Sequence, residues 1–293
     1  MLKEKRLTIF TPTYNRGYIL PQLYRSLCGQ DSDEFVWLIV DDGSTDGTEK
    51  LVRGWQKDNL LPILYVKQPN GGKMRAHNRG VCCCQTGLFV CVDSDDYLTS
   101  GTVVRDMLAF WDENVKLAER SDVCGMISYK KMENKKGYFP KDTQLLTLTG
   151  LYERGFQGET TLMFKTEILR QNLFPEIEGE KFITEAVVYD RLDTQYQYLL
   201  FPYFSQVCEY RKDGYTHNGL DYLLKNPKGY SIYYNQLVEM GKGSRYYNMR
   251  MYIACSLLSK DRKIIANSCS KGLLLLMFPV GIYQYRKFLK KRW

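Results

Sequence analysis

The chain has 293 residues, of which 44% are hydrophobic and 25% are charged. This length and composition fit one large folded domain, or one domain with a smaller appendage, and they exclude a disordered chain. The formal net charge is +8, and five basic residues stand without an acid in the last eight positions, 286–293. Because this basic excess is local, it argues against a broad nucleic-acid-binding face and favours contact with a membrane surface.

The cysteines and the N-terminus indicate a reducing compartment. Three of the nine cysteines are consecutive, at positions 82–84, and adjacent residues cannot readily enter three separate disulfides. No pair of CxxC motifs suggests a zinc site. The run MLKEKRLTIF passes from charges straight into a strand-like segment, without the apolar core and cleavage site of a signal peptide. We therefore expect a cytoplasmic protein with reduced thiols.

The first part of the chain alternates between strand-like and helix-like segments. Short apolar and β-branched runs predict strands at residues 7–11, 36–40, 63–66 and 88–92. Apolar residues at helical spacing predict helices at residues 19–28, 45–58 and 72–84. Strands that alternate with helices and read as unbroken apolar runs are typical of a parallel sheet covered on both faces. The predicted fold class is therefore α/β, with a doubly wound, mostly parallel sheet.

Each predicted strand runs into a polar loop. The four loops read TPTYNR at 11–16, DDGSTD at 41–46, NGGKMR at 70–75 and DSDD at 93–96. In open parallel sheets, ligands bind beyond the carboxyl ends of the strands. Four loops rich in charged and polar residues at one edge of the sheet therefore predict a binding site there.

The fourth loop carries the most specific signal. Asp93, Asp95 and Asp96 would repel one another unless a cation or sugar hydroxyls offset their charge. Mg²⁺ and Mn²⁺ prefer such oxygen ligands, and they bind through one or two carboxylates plus substrate phosphates. The alternative is a helix N-cap followed by acidic first-turn residues.

The second and third loops suit a nucleotide. An aspartate of the second loop can accept a hydrogen bond from a base N–H or a ribose hydroxyl, although the same string also suits a simple turn. In the third loop, Lys73, Arg75 and Arg79 lie near a Gly-Gly turn at a predicted helix start. Backbone N–H groups and cationic side chains there form an anion site suited to a diphosphate. The glycine spacing matches neither a Walker loop nor a dinucleotide fingerprint.

Taken together, the runs TPTYNR, VDDGSTDGT, NGGKMRAHNRG and VDSDD resemble glycosyltransferase family 2, a large group of inverting enzymes with the GT-A fold. A weaker match continues to about residue 218 through GETTLMFKTEIL, EGEKFITEAVVYDRL and YRKDGYT, and it resembles bacterial members that build surface polysaccharides. The resemblance implies a nucleotide-sugar donor, UDP-linked by default, and a glycan or lipid-linked glycan acceptor. It also implies a Mn²⁺ or Mg²⁺ cofactor.

The same resemblance assigns roles to residues of this chain. The donor-binding residues that it implies are Thr11, Tyr14, Arg16, Asp41, Asp42, Lys73, Arg75, Asp93 and Ser94, with Asn78 as support for the third loop. Asp95 is the implied metal ligand of the DxD motif, together with Asp93. Asp96 would assist either donor binding or metal binding.

The catalytic base is assigned by the same comparison. Many family members carry Glu-Asp where this chain has Glu185-Ala186, so Glu185 is the candidate base, and the alternative is an ordinary first-turn acid of a helix. Glu159 is a second candidate, as a ligand of the acceptor hydroxyl. His217 falls where some relatives place a metal or phosphate ligand, although a lone histidine more often packs. The implied reaction is a single displacement in which a carboxylate takes the acceptor proton and the anomeric configuration inverts.

The C-terminal region predicts a helical, tyrosine-rich extension. We divide the chain into a GT-A domain at 1–225, with a nucleotide-binding half at 1–100 and an acceptor half at 101–225, and an extension at 226–293. Residues 272–285 are apolar but shorter than a bilayer span of ~20 residues, and Pro279 interrupts them. With the basic residues that follow, this segment suits peripheral contact with the anionic cytoplasmic face of a membrane. The alternative is packing on the domain or in a dimer.

Two other classes of function compete with an enzyme. A non-catalytic nucleotide-sugar-binding or membrane-scaffold protein is favoured only by Ala186, the position where the second acid is missing. A nucleic-acid-binding protein would need basic residues spread over one face, which the local cluster does not provide.

Overall fold

The computed structural model describes residues 5–132, 137–208 and 219–291. Their contacts divide them into two compact units, one formed by residues 5–173 with 189–208 and the other by residues 174–188 with 219–291. Residues 174–188 thus group with the C-terminal helices. The predicted division into a GT-A domain at 1–225 and an extension at 226–293 stays a prediction.

Four parallel strands form the first half of the sheet in the first unit. They are β1 (Leu7–Thr13), β2 (Phe35–Asp41), β3 (Ile63–Lys67) and β4 (Leu88–Cys91), in the spatial order β3-β2-β1-β4. Every residue of β1 and β2 is buried, which explains why both strands read as unbroken apolar runs. All four predicted strands are confirmed.

Helices connect these strands and cover both faces of the sheet. They are α1 (Leu20–Cys28), α2 (Thr48–Asp58) and α3 (Lys73–Cys83). Ile9 belongs to one core cluster with residues of α1 and α2, whereas the next residue of β1, Phe10, lies against His77 of α3. Since successive strand residues point to opposite faces, α3 covers the face opposite to α1 and α2.

The remaining strands of the first unit complete the sheet. They are β5 (Tyr97–Leu98), β6 (Val123–Lys131), β7 (Leu145–Leu146), β8 (Thr160–Lys165) and β9 (Gln197–Val207). β8 runs antiparallel to β4 and β6, and β6 runs parallel to β9. β5 and β7 run antiparallel to β9. Six of the nine strands therefore share one direction, which confirms a mostly parallel sheet. β6 and β9 end, and β8 begins, at the edge where β1 to β4 end.

Further helices lie between residues 103 and 193. They are α4 (Val103–Glu113), α5 (Val115–Ala118), α6 (Leu148–Glu153), α7 (Thr166–Gln171) and α8 (Ala186–Asp193). α8 begins in the second unit, because the division of the chain falls after residue 188.

The second unit is helical, which confirms a helical C-terminal region. Its remaining helices are α9 (Gly219–Lys225), α10 (Pro227–Glu239), α11 (Arg245–Leu258), α12 (Ile264–Asn267) and α13 (Lys271–Lys291). α11 is the most buried of them and packs against both α10 and α13. At the crossing of α11 and α13, Gly281 lies so close to Ile253 that a Cβ would come within 2.3 Å of Ile253 Cγ2.

α13 continues through Pro279, which the sequence predicted to interrupt the apolar segment. Pro279 lies on the exposed side of the helix, where water can satisfy the carbonyl that loses its N–H donor. None of the helices in the described part of the chain combines the length with the hydropathy that a bilayer span requires.

Candidate active site

Asp41 builds the turn that follows β2. Its side chain is fully buried, one carboxylate oxygen accepts a hydrogen bond from Ser44 N at 2.7 Å, and the other accepts from Tyr65 Oη at 2.5 Å. Burial, together with the hydrogen bond to the Asp41 carboxylate, raises the pKa of Tyr65. The tyrosine therefore stays protonated and remains a donor to Asp41.

Asp42 holds the third loop in place. Its carboxylate accepts four hydrogen bonds, from Gly71 N at 2.9 Å, Gly72 N at 2.7 Å, Gln68 Nε2 at 2.8 Å and Asn70 Nδ2 at 3.1 Å. Gly72 has a φ of 94°, a left-handed value that a side chain would strain. Asp42 thus satisfies backbone donors at the start of α3. The sequence proposed only base and ribose contacts for Asp41 and Asp42, and those contacts stay a prediction.

The first loop is joined to the second by a residue that the sequence did not single out. Asn15 adopts a φ of 53°, its N–H donates to Ser44 Oγ at 2.9 Å, and its Oδ1 accepts from Thr45 N at 2.8 Å. Asparagine tolerates this conformation better than most residues, and its presence in the loop was the sequence feature that could have indicated this turn. Thr11 is fully buried and accepts a hydrogen bond from Trp37 Nε1 at 2.9 Å. The Thr11 side chain thus supports the loop from within the core, and its contact with a nucleotide stays a prediction.

The other two predicted residues of the first loop face solvent or a neighbour on the same loop. Tyr14 is 47% exposed, and Arg16 Nη1 donates to Tyr18 Oη at 2.7 Å. Both side chains are therefore accessible to a ligand beyond β1, as a nucleotide contact requires.

The third loop brings positive charge to the same edge of the sheet. Lys73, the first residue of α3, places its Nζ 2.9 Å from the Asp93 carboxylate. Arg75 is half-buried and packs so closely over Gly71 that a Cβ there would lie 2.8 Å from Arg75 Cδ. Arg79 is exposed. Lys73 and Arg75 thus remain at the loop, whereas Arg79 points away into solvent.

Residues further along α3 support the loop through packing. His77 is buried between Phe10 and Phe89, with ring centroids 5.5 and 5.4 Å away, both edge-on. Asn78 is also buried, in keeping with a supporting role. Of the three consecutive cysteines, only Cys84 is buried, and Cys82 is exposed.

The acidic residues of the fourth loop, which we call the acidic turn (residues 93–96), differ in their partners. Lys73 pairs with Asp93, and Lys130 Nζ lies 2.8 Å from Asp96 Oδ2. Among the described residues, Asp95 makes no hydrogen bond or ion pair. Ser94, between the acids, is buried. The turn therefore presents one unpaired carboxylate, that of Asp95.

Burial and neighbouring charges shift the pKa values of Asp93, Asp96 and Lys130. Burial would raise the pKa of Asp93, but the charges of Lys73 and Lys130 and the hydrogen bond from Lys73 hold it below its ordinary value. Burial raises the pKa of Asp96 to about 6, aided by the charges of Asp93 and Asp95 and opposed by Lys130. The charges of Asp96 and Asp93 outweigh burial and raise the pKa of Lys130. The repulsion among the carboxylates that the sequence predicted thus contributes to the raised pKa of Asp96, while Lys130 stays cationic.

Two residues at this edge gave no signal in the sequence. Lys130 lies near the end of β6, in a run of lysines that reads as a solvated charged segment. Gln206, paired with Lys130 across β6 and β9, is fully buried and donates through Nε2 to Cys91 O at 3.0 Å. Only the pairing of distant strands brings these side chains beneath the acidic turn.

Glu159 lies at the same edge of the first unit. Its backbone carbonyl accepts a hydrogen bond from Lys130 N at 3.0 Å, and its Oε2 lies 3.7 Å from Cys208 Sγ. Burial, with the nearby charge of Asp96, raises the pKa of Cys208 to about 12. The thiol is therefore neutral and acts as a weak donor to Glu159.

Glu185, the candidate base, directly precedes α8 in the second unit. It is half-buried, and its carbonyl accepts a hydrogen bond from Val188 N at 3.0 Å. This position matches the expectation of an acid at a helix start, and the role in catalysis stays a prediction. His217 lies outside the described residues.

The donor set of the acidic turn fits a hard divalent cation. The described residues contain no group of three or more His, Cys, Asp or Glu side chains arranged to hold a metal ion. Asp95, however, has carboxylate oxygens that no other described residue pairs with, and Asp93 is 31% exposed beside it. Mg²⁺ and its analogues commonly take one or two carboxylates and complete their coordination with substrate phosphates and water.

Known proteins share this sequence pattern. The model of the family described as glycosyl transferase family 2 matches residues 8–173. GalNAc(5)-diNAcBac-PP-undecaprenol beta-1,3-glucosyltransferase of Campylobacter jejuni is 25% identical over 290 residues, covering 92% of this chain and 88% of that protein. Poly(ribitol-phosphate) beta-N-acetylglucosaminyltransferase TarS of Staphylococcus aureus is 32% identical over 179 residues, which are 58% of this chain and 30% of TarS.

Solved structures share the fold. The structure of S. aureus TarS 1-349 in complex with UDP-GlcNAc has a TM-score of 0.62 at 19% identity, and the match covers 97% of this chain and 81% of that one. Mannosyltransferase PcManGT from Pyrobaculum calidifontis, in complex with GDP-Man and Mn²⁺, has a TM-score of 0.56 at 17% identity and covers 99% and 84%. The family model spans more than half of the chain, and its match includes β1 to β4 and the loops that follow them, among them the acidic turn. The chain therefore belongs to glycosyl transferase family 2, and it is a glycosyltransferase with the GT-A fold.

Proposed function

We propose that this glycosyltransferase moves one sugar from a nucleotide-sugar donor, most simply a UDP-sugar, to a hydroxyl of a growing surface glycan, with inversion at the anomeric carbon. The observation that carries the proposal is the acidic turn, where Asp95 lies between two lysine-paired carboxylates and has no partner in the part of the chain that the structure describes. An unpaired carboxylate beside the start of α3 suits a cation and a diphosphate together.

Asp95 and Asp93 would hold Mn²⁺ or Mg²⁺, which when bound supplies positive charge to stabilise the departing diphosphate. Arg75, in the first turn of α3, would add its guanidinium on the same side. Lys73 fixes Asp93 at 2.9 Å. Tyr14 and Arg16, accessible beyond β1, would contact the nucleotide.

In this proposal Glu185 accepts the proton of the acceptor hydroxyl while that oxygen attacks the anomeric carbon. The nucleoside diphosphate leaves from the opposite side with the bonding electron pair. Such general-base assistance contributes about 10²–10⁴-fold to the rate. Glu159 would hydrogen bond to the acceptor, since its carboxylate lies at the same edge as Asp96.

The names of relatives support the substrate classes. The C. jejuni relative is named for an undecaprenol diphosphate-linked glycan, and a TarS structure contains UDP-GlcNAc. By this likeness the donor would be UDP-linked and the acceptor a lipid-linked glycan.

The exposed face of α13 supports peripheral contact with the cytoplasmic surface of a membrane. Leu276, Val280 and Tyr283 are 68%, 41% and 60% exposed, and with Lys287 they follow helical spacing along one stripe. Lys287 Nζ lies 4.7 Å from the centre of the Tyr283 ring. An apolar stripe that passes into lysines suits the boundary of an anionic bilayer. Arg292 and Trp293, also part of the predicted basic cluster, lie outside the described residues.

Nucleotide release tests the activity. The purified chain is incubated with a panel of UDP-, GDP- and TDP-sugars, with and without Mn²⁺ or Mg²⁺, and free nucleotide is measured. We expect metal-dependent release from one donor, and loss of that metal dependence in Asp95→Asn. Asp112→Asn, a surface carboxylate 55% exposed on α4, is the matched control and should behave as the wild type. Release that is equally fast in EDTA, or unchanged by Asp95→Asn, would refute the role of the acidic turn.

Vesicle co-sedimentation tests the membrane contact. We expect binding to vesicles of phosphatidylglycerol and phosphatidylethanolamine, weaker binding to phosphatidylcholine alone, and at least about tenfold weaker binding for Lys287→Glu, given about 1 kcal/mol for each basic residue at an anionic surface and a reversed charge. Leu276→Asp should also reduce binding. Leu60→Asp, at a leucine 69% exposed in the first unit, is the control. Equal binding by Leu276→Asp and Leu60→Asp would rule out the α13 face.

A further inference from the structure

Lys130 connects two parts of the candidate site. Its side chain, 14% exposed, pairs at 2.8 Å with Asp96, which is 4% exposed. Its backbone N–H donates to the carbonyl of Glu159 at 3.0 Å. One residue of β6 therefore fixes the acidic turn through its side chain and the start of β8 through its main chain.

The pairing of charges explains why a buried lysine is needed there. Three carboxylates, Asp93, Asp95 and Asp96, share the turn with two ammonium groups, those of Lys73 and Lys130. One net negative charge remains, and by geometry it belongs to Asp95, which has no partner among the described residues. Without Lys130, the buried carboxylate of Asp96 would be left uncompensated, and such a loss is strongly destabilising.

We propose that Lys130 is a positioning residue that acts as an internal counter-ion: it holds Asp96 inside the fold, so that Asp95 is the carboxylate left to bind a cation. This inference rests on the proposed function in taking the acidic turn as the cation and donor site. It extends that function to a residue on β6 that contacts neither donor nor acceptor.

The proposal separates Lys130 from a residue that merely packs. If Lys130 only filled space, methionine would replace it without changing how the protein responds to metal. If it is a counter-ion, its loss leaves Asp96 in need of another cation, and a divalent metal ion is the available one. The response to Mn²⁺ is therefore the informative measurement.

The test uses the full chain and four variants: Lys130→Met, Asp96→Asn, the double variant, and Lys131→Met as a control. Lys131 follows Lys130 on β6, but its side chain is exposed. Melting temperature (Tm) is measured in EDTA and in Mn²⁺, without nucleotide. We expect Lys130→Met to lower the Tm in EDTA by about 10 °C, as for a broken buried ion pair. Mn²⁺ should then raise its Tm by more than it raises that of the wild type.

The double variant decides the cause. Because it removes both buried charges, it should regain most of the lost Tm and respond to Mn²⁺ no more than the wild type does. Lys131→Met should match the wild type in both conditions. If Lys130→Met fails to fold, recovery in the double variant still supports the pairing.

Three results would overturn the proposal: a Tm of Lys130→Met equal to that of Lys131→Met, additive losses in the double variant, or a measurable Mn²⁺ shift that is equal in Lys130→Met and in the wild type. Failure of the proposed function looks different. If Mn²⁺ shifted no variant, the cation site would be refuted together with the part of the proposal that concerns Asp95. Non-additive Tm losses in EDTA would then still support the pairing of Lys130 with Asp96.

Discussion

Two adjacent aspartates, Asp41 and Asp42, should respond very differently to the same substitution. Asp42 accepts two hydrogen bonds on each oxygen, one of each pair from a glycine N–H. An asparagine at 42 must direct its NH₂ group at one of these pairs, whichever way the amide turns. Two charge-assisted hydrogen bonds are lost, and a buried backbone N–H of Gly71 or Gly72 is left without an acceptor.

The magnitude follows from the count of bonds. Hydrogen bonds to a charged group contribute about 1.5–3 kcal/mol each, so Asp42→Asn should cost about 3–6 kcal/mol. Asp41 has one backbone donor, Ser44 N, and one hydroxyl donor, Tyr65 Oη. An asparagine at 41 keeps the first bond through its carbonyl, and its NH₂ donates to the tyrosine oxygen, which can accept as well as donate. We expect Asp41→Asn to cost about 1 kcal/mol.

Thermal unfolding followed by tryptophan fluorescence measures the difference, since Trp37 and Trp55 lie in the core of the first unit. At about 2–4 °C per kcal/mol for a domain of this size, Asp42→Asn should lower the Tm by about 10 °C, and Asp41→Asn should lower it by about 3 °C. Equal losses in the two variants would refute the bonding pattern, as would an unchanged Tm in Asp42→Asn.

Two further predictions concern packing and pH. Gly80→Ala should destabilise the chain by about 1–3 kcal/mol, because a Cβ there would lie 2.4 Å from Phe10 Cε2; Gly54→Ala, in α2 with nothing within 4 Å, should instead stabilise it by about 0.5–1 kcal/mol, and a urea titration that ranked the two alike would contradict this. Burial opposes ionisation of Asp261, but the hydrogen bond from Lys228 and others hold its pKa below the ordinary value. Its contribution to stability is therefore present above its unfolded pKa of about 4 and is lost as pH falls through the folded pKa. Thermal unfolding is followed by the helical circular dichroism signal. Between about pH 5 and pH 2, the Tm of Asp261→Asn should fall by less than the Tm of the wild type, and equal falls would argue against the pairing.

Much of the fold of residues 1–100 was predictable from the sequence because its signals are local. β1 and β2 are buried on both faces, so they appear as unbroken apolar runs, and the loops that follow them carry short motifs of fixed spacing. Parallel strands bring consecutive loops to one edge, which is why Asp42, Lys73 and Asp93 could be placed together before any contact was known.

The partners of these side chains depended on tertiary structure. Thr11 was predicted to contact a ligand, but strand alternation and the position of Trp37 bury it in the core. Lys130 is distant from Asp96 in sequence, and only the order of β4, β8 and β6 in the sheet brings the two together.

The sequence by itself determined the fold class, the edge that carries the site and the residue types gathered there, because periodicity and short motifs depend on neighbours along the chain. Tertiary structure decided which of the three carboxylates of the acidic turn has no ion-pair partner among the described residues. The motif resemblance marked Asp95 as a metal ligand but gave no ion-pair partner for Asp93, Asp95 or Asp96, and in the fold Asp93 and Asp96 meet lysines from α3 and β6. Charge pairing acts through space over a few ångströms, so no local pattern could have shown which of these carboxylates meet a lysine.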